Sequence, residues 1–597
     1  MINEHIIPIV KANAQKYGNR DVFRYRNKNT GEVNSIGWTA MMQQCELTSM
    51  ALLDAGFGFE SNIGIYSHNC PDWTTTDLAI FGIRGVVVPI MATSARQQIK
   101  YIIDETGMQL LFAGNEEQLE ISLWLLDHCV SLNKVIVFDG GVEIKDERII
   151  TLKTYINISA TSDLKNQLKK IQEDFRADDM ATIVYTSGTT GEGKGVMLGM
   201  ESFVSCFGYH DQRLHLYETD VSIAFLPLSH IFERTWTLYL LSKGVINFFL
   251  ENPRHVIDVL PIVKPTLMCT VPRFFEKTYE GIEAEMLKWP AFKRTIFHWA
   301  TKTGMRHAML LSKKEPIPAG LKMKNSIADK LVLKKLRSVF GGNIRIMPCA
   351  GAAIRPGLLH FFHGTGLFVN YGYGCTETTA TVACFREDIY DFNAVGSVMP
   401  GVSVKIGAGD EIMISGKTVF RGYYKKPEET AASLRDGWFM SGDKGRVTED
   451  GFLYMDDRIK DLFKTSTGKY VSPQKIELLL GQDAFVEQIV AIGDKRKFVS
   501  AVIVPSFEKL KIKAAELGLS VSDIPELIKS KELYAVMAER FNLLQQELAP
   551  HERVVKFILL PELFSIENGI LTSTLKIKRK MVNEKYADLI EEMYRTV

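Results

Sequence analysis

Residues 181–198 read ATIVYTSGTTGEGKGVML. The opening ATIVY has the β-branched, apolar character of a buried strand. The run that follows is too rich in Gly, Ser and Thr to continue as helix or sheet. Glycines free the backbone to turn its N–H groups inward, and the hydroxyls of Thr186, Ser187, Thr189 and Thr190 add donors, so the loop can wrap a polyphosphate. Lys194 supplies a mobile positive charge. Gly188, Gly193 and Lys194 satisfy G-x-x-x-x-G-K, but Gly195 stands where a P-loop needs Ser or Thr for magnesium, and the P-loop kinase reading fails there. The bland alternative is a flexible surface loop, which rarely carries so many hydroxyls and glycines directly behind a buried strand.

Outward from this loop, apolar and helical stretches alternate. Before it come NIGIYS (62–67), GVVVPI (85–90), QLLFAG (109–114) and KVIVFDG (134–140); after it come VSIAFLPL (221–228), VINFFL (245–250) and PTLMCTV (265–271). Strand and helix in turn predict an α/β fold with two wound αβ layers. From Glu411 the texture changes to short strands and Gly turns, a small β unit that closes a large N-terminal domain over 1–457. A charged link through Asp457, Arg458, Lys460, Asp461 and Lys464 leads into QIVAIGD and VSAVIVP, a small mobile α+β C-terminal domain over 458–597. No tandem repeat or low-complexity tract occurs.

The 597 residues exceed what one core serves, 46% are hydrophobic and 24% charged, and the formal net charge is +1. The chain as a whole has no electrostatic preference for nucleic acid or anionic lipid. The first eighteen residues lack a secretory pattern and read as a short amphipathic helix. No apolar run reaches the roughly 18–20 residues needed to cross a bilayer. Eight scattered cysteines without a C-x-x-C pair fit neither a disulfide framework nor a zinc site, and read as reduced core residues of a cytoplasmic protein.

The segment YTSGTTGEGKG resembles the signature loop of the adenylate-forming (AMP-binding) superfamily, with Gly193 in place of the usual Pro. The resemblance continues over nearly the whole chain. It makes Thr186, Ser187, Gly188, Thr189, Thr190, Gly191 and Lys194 nucleotide-binding, with Thr186 also near the metal. LPLSHIFER (226–234) resembles the segment whose His, here His230, lines the acyl pocket, and Trp236 is either a gate to that pocket or a core residue. CAGAAI (349–354) resembles the wall against adenine, through Gly351, Ala352 and Ala353. NYGYGCTETT (370–379) resembles the adenylate-binding segment: Gly372 and Gly374 flank Tyr373, which stacks on the base, Thr376 lies near the α-phosphate, and Glu377 is the magnesium ligand. Asp443 resembles the ribose ligand, and DRIKDLFKTSTGK (457–469) the hinge, with Arg458 on the nucleotide, Lys460 at the pivot and Lys464 facing the site in one orientation. NGILTSTLKIKRK (568–580) resembles the segment of the adenylation lysine, assigned to Lys576 with Lys578, Arg579 and Lys580 as near alternatives.

The implied chemistry is that of the long-chain fatty acyl-CoA synthetases: a fatty acid, ATP and Mg2+ give an acyl-adenylate, then coenzyme A takes the acyl group. Two rivals keep the first step but load a medium-chain or aromatic acid, or deliver to a carrier protein. A third, of another class, is an idle ATP-binding protein on a membrane, against which Glu377 and Lys576 argue. Within 287–345, fourteen Lys and Arg face only Glu315 and Asp329, a net +12 inside a neutral chain. In this basic helical insertion, about 282–345, Phe292, Ile296 and Trp299 fall on one helical stripe, whereas Phe297, Met305 and Gly304 interrupt it. The segment is read either as a peripheral contact with the inner face of a membrane or as a solvated insertion. No aromatic-interleaved motif supports nucleic acid, and nothing indicates the oligomeric state.

Overall fold

The structure, a computed structural model, describes residues 5–595 except 28–29, 158–160, 187–192, 460–461, 467, 520–522, 566–567 and 572–576. The opening helix, Ile6–Tyr17, buries Ile6, Ile7 and Val10 and is capped by His5, whose ring nitrogen accepts from Ile7 N at 3.3 Å.

Two sheets form the body of the large domain. The first has eight strands in the order Gly422–Tyr423, Lys194–Gly199, Met180–Thr186, Val86–Ile90, Asn62–Tyr66, Leu110–Ala113, Lys134–Val137 and Ile149–Thr151. The strands from Met180–Thr186 onward run parallel, while Lys194–Gly199 is antiparallel to both of its neighbours. Ile63, Ile65 and Val87 pack into one core and Val86, Val88 and Ile90 into another, so both faces are covered and the sequence reads as continuous apolar runs.

The second sheet begins with Val33–Gly37, Asp21–Arg26, Ile246–Phe249 and Val221–Ala224. It continues through bridges at Leu267 and Thr270 to Met347–Cys349, Val369–Tyr373, Ala383–Cys384 and Ser397–Val398. PTLMCTV, expected as a strand, contributes only those bridges. Between the sheets, Asp77 and Arg234 are fully buried: Nε and Nη2 of Arg234 donate to the Asp77 carboxylate at 2.9 and 2.5 Å, and Nη1 donates to Thr182 Oγ1 at 2.7 Å.

The small β unit is a sheet of Val402–Ile406, Glu411–Gly416 and Trp438–Val447, with Leu434–Arg435 and Leu453–Arg458 both pairing with Trp438–Val447 along the edge opposite Glu411–Gly416. Beyond it, Val486–Ile492, Val499–Pro505 and Val554–Leu559 form a three-stranded sheet with a separate apolar cluster on each face. The fold is thus mixed α/β, with a large N-terminal domain and a small C-terminal one.

The basic insertion is helical: Pro272–Leu287, Ala291–Ser312, Ala319–Ala328 and Lys334–Ser338. Gly304 interrupts the stripe for a packing reason. A Cβ there would lie 2.0 Å from the Gly364 carbonyl oxygen, so the glycine lets Ala291–Ser312 cross Pro356–Gly364 closely. Phe297 and Ala300 on the same helix are buried, while Phe292, Ile296 and Trp299 remain 63%, 40% and 37% exposed. None of the described helices is long and apolar enough to cross a membrane.

Candidate active site

A cleft of about 3900 Å³ runs between the large domain and the C-terminal one. Thr186, Lys194, His230, Gly351, Ala352, Ala353, Gly372, Tyr373, Gly374, Thr376, Glu377, Asp443 and Arg458 all line it. Residues 187–191 of the loop, and with them Ser187, Gly188, Thr189, Thr190 and Gly191, lie outside the described residues, as do Lys460 and Lys576. What is described is the frame on either side of the loop: Thr186 ends one strand, Lys194 begins the next, and the two residues are register partners. Gly195 lies within that second strand, where a Cβ would approach Ile183 Cγ2 to 2.7 Å, so a larger residue is refused by packing.

The Glu377 carboxylate and the Lys194 ammonium share one neighbour. Tyr423 donates its hydroxyl to Glu377 Oε1 at 2.9 Å, and Lys194 Nζ sits 4.9 Å from the centre of the same ring. Glu377 lies in a short 3-10 turn, Thr376–Thr378, after which Thr379 and Ala380 both take positive φ (50° and 77°). Two consecutive non-glycine residues in that region are strained, and the strain is held by Thr379 Oγ1 donating to Thr418 O at 2.7 Å. Gly374 makes the turn possible: a Cβ there would lie 1.8 Å from the Ala380 carbonyl oxygen.

Elsewhere in the cleft, Tyr373 donates to the buried carboxylate of Asp443, and Arg458 Nε lies 3.3 Å from its other oxygen. Asp443 and Arg458 face each other across adjacent strands. Burial, and then the neighbouring Asp443 charge, push the Tyr373 phenol well above its usual range, so it acts as a donor. Gly351, with φ 93°, and the exposed Ala352 and Ala353 leave the facing wall without bulk.

His230 caps Ile231–Lys243, its ring nitrogen accepting from Phe232 N at 3.3 Å. Trp236 stands one and a half turns on, buried and donating to Ser222 Oγ at 3.2 Å; it borders a separate void of about 30 Å³ behind Gly372 and Tyr373, not the main cleft. Lys464 is exposed with its ammonium over Tyr470, outside the cleft lining in this arrangement. Leu571 and Ile577, either side of the undescribed run with Lys576, are bridged to each other and line the cleft.

Among the described residues no group of three His, Cys, Asp or Glu could hold a metal alone. Glu377 offers single hard carboxylate oxygens, a donor set suited to a magnesium ion that arrives on a polyphosphate and keeps water and phosphate ligands. Tyr423 was not singled out from the sequence. Its only signal was an aromatic pair, Tyr423 and Tyr424, after the Gly of VFRGYY. The interdomain pairs were missed too: Arg273 and Lys277 both donate to Glu487 Oε1, at 2.6 and 2.8 Å.

Comparison with known proteins gives the arrangement a family. Residues 10–424 match the AMP-binding enzyme family and 460–597 match the AMP-binding enzyme C-terminal domain. A long-chain-fatty-acid–CoA ligase of Mycobacterium bovis is 31% identical over 92% of this chain and 91% of its own. The human long-chain-fatty-acid–CoA ligase 1 is 30% identical over 94% of this chain and 83% of its own. Among solved structures, the adenylation domain of a carboxylate reductase from Mycobacterium chelonae superposes with TM-score 0.73 at 20% identity, covering 99% of this chain and 91% of that one. An anthranilate CoA ligase bound to anthranoyl-AMP gives 0.72 at 17%, covering 98% of both. These two likenesses speak to the fold; the family matches together span most of the chain, and the chain belongs to the AMP-binding, adenylate-forming enzymes.

Proposed function

We propose that this enzyme activates a long-chain fatty acid with ATP, through an acyl-adenylate, to the acyl-CoA thioester, releasing pyrophosphate and then AMP. The observation that carries the substrate class is the likeness, at about 30% identity over more than nine-tenths of the chain, to ligases named for long-chain fatty acids. The cleft supports the reading, since Phe225, Phe232, Phe274 and Ile282 add apolar surface to its lining.

In the first step the substrate carboxylate attacks the α-phosphorus and pyrophosphate leaves. Both reactants are anions, so the barrier falls as positive charge and donors gather round the developing charge. Lys194, the hydroxyls of 186–190, Thr376 and Lys576 take that role, while Asp443 accepts from the ribose, Arg458 steadies it, and Tyr373 with Gly351, Ala352 and Ala353 encloses the base. Magnesium, held by Glu377 with Thr186 nearby, would supply charge neutralisation on the phosphates. His230 lies on the acyl side. The small domain, divided from the large one near 457/458 and turning at Lys460, then exchanges its face toward the cleft and brings Lys464 inward. Coenzyme A attacks as the thiolate, the carbon–sulfur bond forms, and the bond to AMP breaks.

The exposed Phe292, Ile296 and Trp299, joined by Met323, Ile327 and Leu331 and set among Lys and Arg, supports a peripheral contact with the anionic inner face of a membrane. Phe292, Ile296 and Leu331 also line the cleft mouth, so an acid partitioned in lipid would enter there. The test of the reaction is acid-dependent ATP–pyrophosphate exchange across C2 to C18 acids and benzoate. Exchange peaking at C12 to C18 supports the proposal; a peak at benzoate or short acids replaces the substrate.

A further inference from the structure

One side chain touches both charged groups on the phosphate side of the cleft. Tyr423 lies on the two-residue strand Gly422–Tyr423, which pairs antiparallel with the strand that Lys194 begins, Tyr423 opposite Val196. Its position is fixed from several directions. Its backbone N donates to Thr430 Oγ1 at 2.8 Å, Tyr424 N donates to Gly195 O at 2.7 Å, and Phe420 packs edge-on against the ring at 4.8 Å. Phe420 N also donates to the Glu377 carbonyl at 2.8 Å. The segment 420–423 therefore holds Glu377 by main chain and side chain at once. Tyr423 is 8% exposed, and its hydroxyl is the donor because a carboxylate oxygen of Glu377 accepts.

We infer that Tyr423 is a positioning residue for adenylate formation: its hydroxyl fixes the orientation of the Glu377 carboxylate while its ring face places the Lys194 ammonium. One rigid side chain thereby sets the spacing between the metal-binding carboxylate and the phosphate-binding cation. The inference rests on the reading of Glu377 and Lys194 as groups that meet the metal–nucleotide. The two contacts are chemically separable. Phenylalanine at 423 keeps the ring for Lys194 and drops the hydroxyl; leucine drops both.

The experiment uses the full chain, with Tyr423→Phe, Tyr423→Leu and Glu377→Ala. Mn2+ binding is followed by electron paramagnetic resonance with a non-hydrolysable ATP analogue, alongside analogue affinity without metal and the thermal midpoint. Loss of a group that orients a metal ligand costs about 10- to 100-fold in metal affinity. Tyr423→Phe is expected to raise the Mn2+ concentration for half-saturation by about that factor, and to leave metal-free analogue affinity unchanged. Tyr423→Leu is expected to weaken both. Wild-type Mn2+ affinity in Tyr423→Phe overturns the inference, as does a parallel fall of midpoint and analogue affinity with no selective metal effect, the mark of a merely structural residue. If Mn2+ binding ignores Glu377→Ala, the role of Glu377 and this inference fall together. If the metal effect appears but the wild type activates no fatty acid, the substrate reading falls and the positioning role stands.

Discussion

Replacing Arg234 by Met is the most demanding test of how the two sheets are held together behind the site. Arg234 is 1% exposed and Asp77 0%, so the substitution removes three hydrogen bonds and leaves a carboxylate sealed in the interior. Removing one partner of such a pair costs about 3–5 kcal/mol. At roughly 2 °C per kcal/mol for a large domain, the first thermal transition falls by about 6–10 °C. The loss carries a pH signature. Burial pushes the Asp77 carboxyl up and Arg234 pulls it back. Without the guanidinium the folded carboxyl titrates well above its unfolded value, so the folded variant binds the extra proton. The stability this proton confers is present below about pH 4, the unfolded value, and is lost as pH rises through the folded one. The gap to wild type is therefore smaller at pH 5 than at pH 8. Circular-dichroism melts at both pH values, with Asp77→Leu/Arg234→Met as the partner variant, measure it. The double variant should recover most of the loss, because no charge is left unpaired. A single variant within about 1 kcal/mol of wild type, well under the expected 3–5, or a gap that widens toward acid, refutes the reasoning.

Gly374→Ala should reduce adenylate formation at least 100-fold, as the 1.8 Å approach to Ala380 O leaves no room for Cβ without moving Glu377; pyrophosphate exchange near the wild-type rate would contradict this. Glu377→Ala and Lys576→Ala should each suppress adenylate formation, whereas Lys464→Ala should act mainly on thioester formation. Separate assays of the half-reactions decide, and equal loss of both in all three variants would sink the two-orientation mechanism. Phe292→Ser/Trp299→Ser should weaken co-sedimentation with anionic vesicles several-fold and leave exchange with a short soluble acid unchanged; unaltered vesicle binding would remove the membrane contact.

The strand that opens 181–198 was plain in the sequence, because a buried β-branched run obeys local rules, whereas the strand Lys194–Gly199 that follows the Gly-rich stretch was not read. The parallel strands from Asn62 to Val137 were legible for the same reason. What escaped was long-range pairing: Asp21–Arg26 joins the second sheet beside Ile246–Phe249, and Gly422–Tyr423 completes the edge of the first, more than 200 residues from its partner strand. Tyr423 went unread on that account, since its meaning depends on where Glu377 and Lys194 meet it. PTLMCTV had the composition of a strand, yet Leu267 and Thr270 supply only bridges. Trp236 was read as either a gate or a core residue, and its buried indole, donating to Ser222, fits the core reading. The exposed stripe at Phe292, Ile296 and Trp299 was visible as a helical period, whereas the crossing at Gly304 needed the facing Gly364 to be seen.

The central claim is that this cleft makes an acyl-adenylate from a long-chain fatty acid and then hands it to coenzyme A. A single turnover of purified protein with palmitate, ATP and magnesium, quenched and read by mass spectrometry before and after coenzyme A is added, tests it most directly. The account predicts palmitoyl-AMP with stoichiometric pyrophosphate first, converted to palmitoyl-CoA and free AMP on addition of the thiol. Absence of palmitoyl-AMP, or an adenylate that coenzyme A fails to discharge, would contradict it.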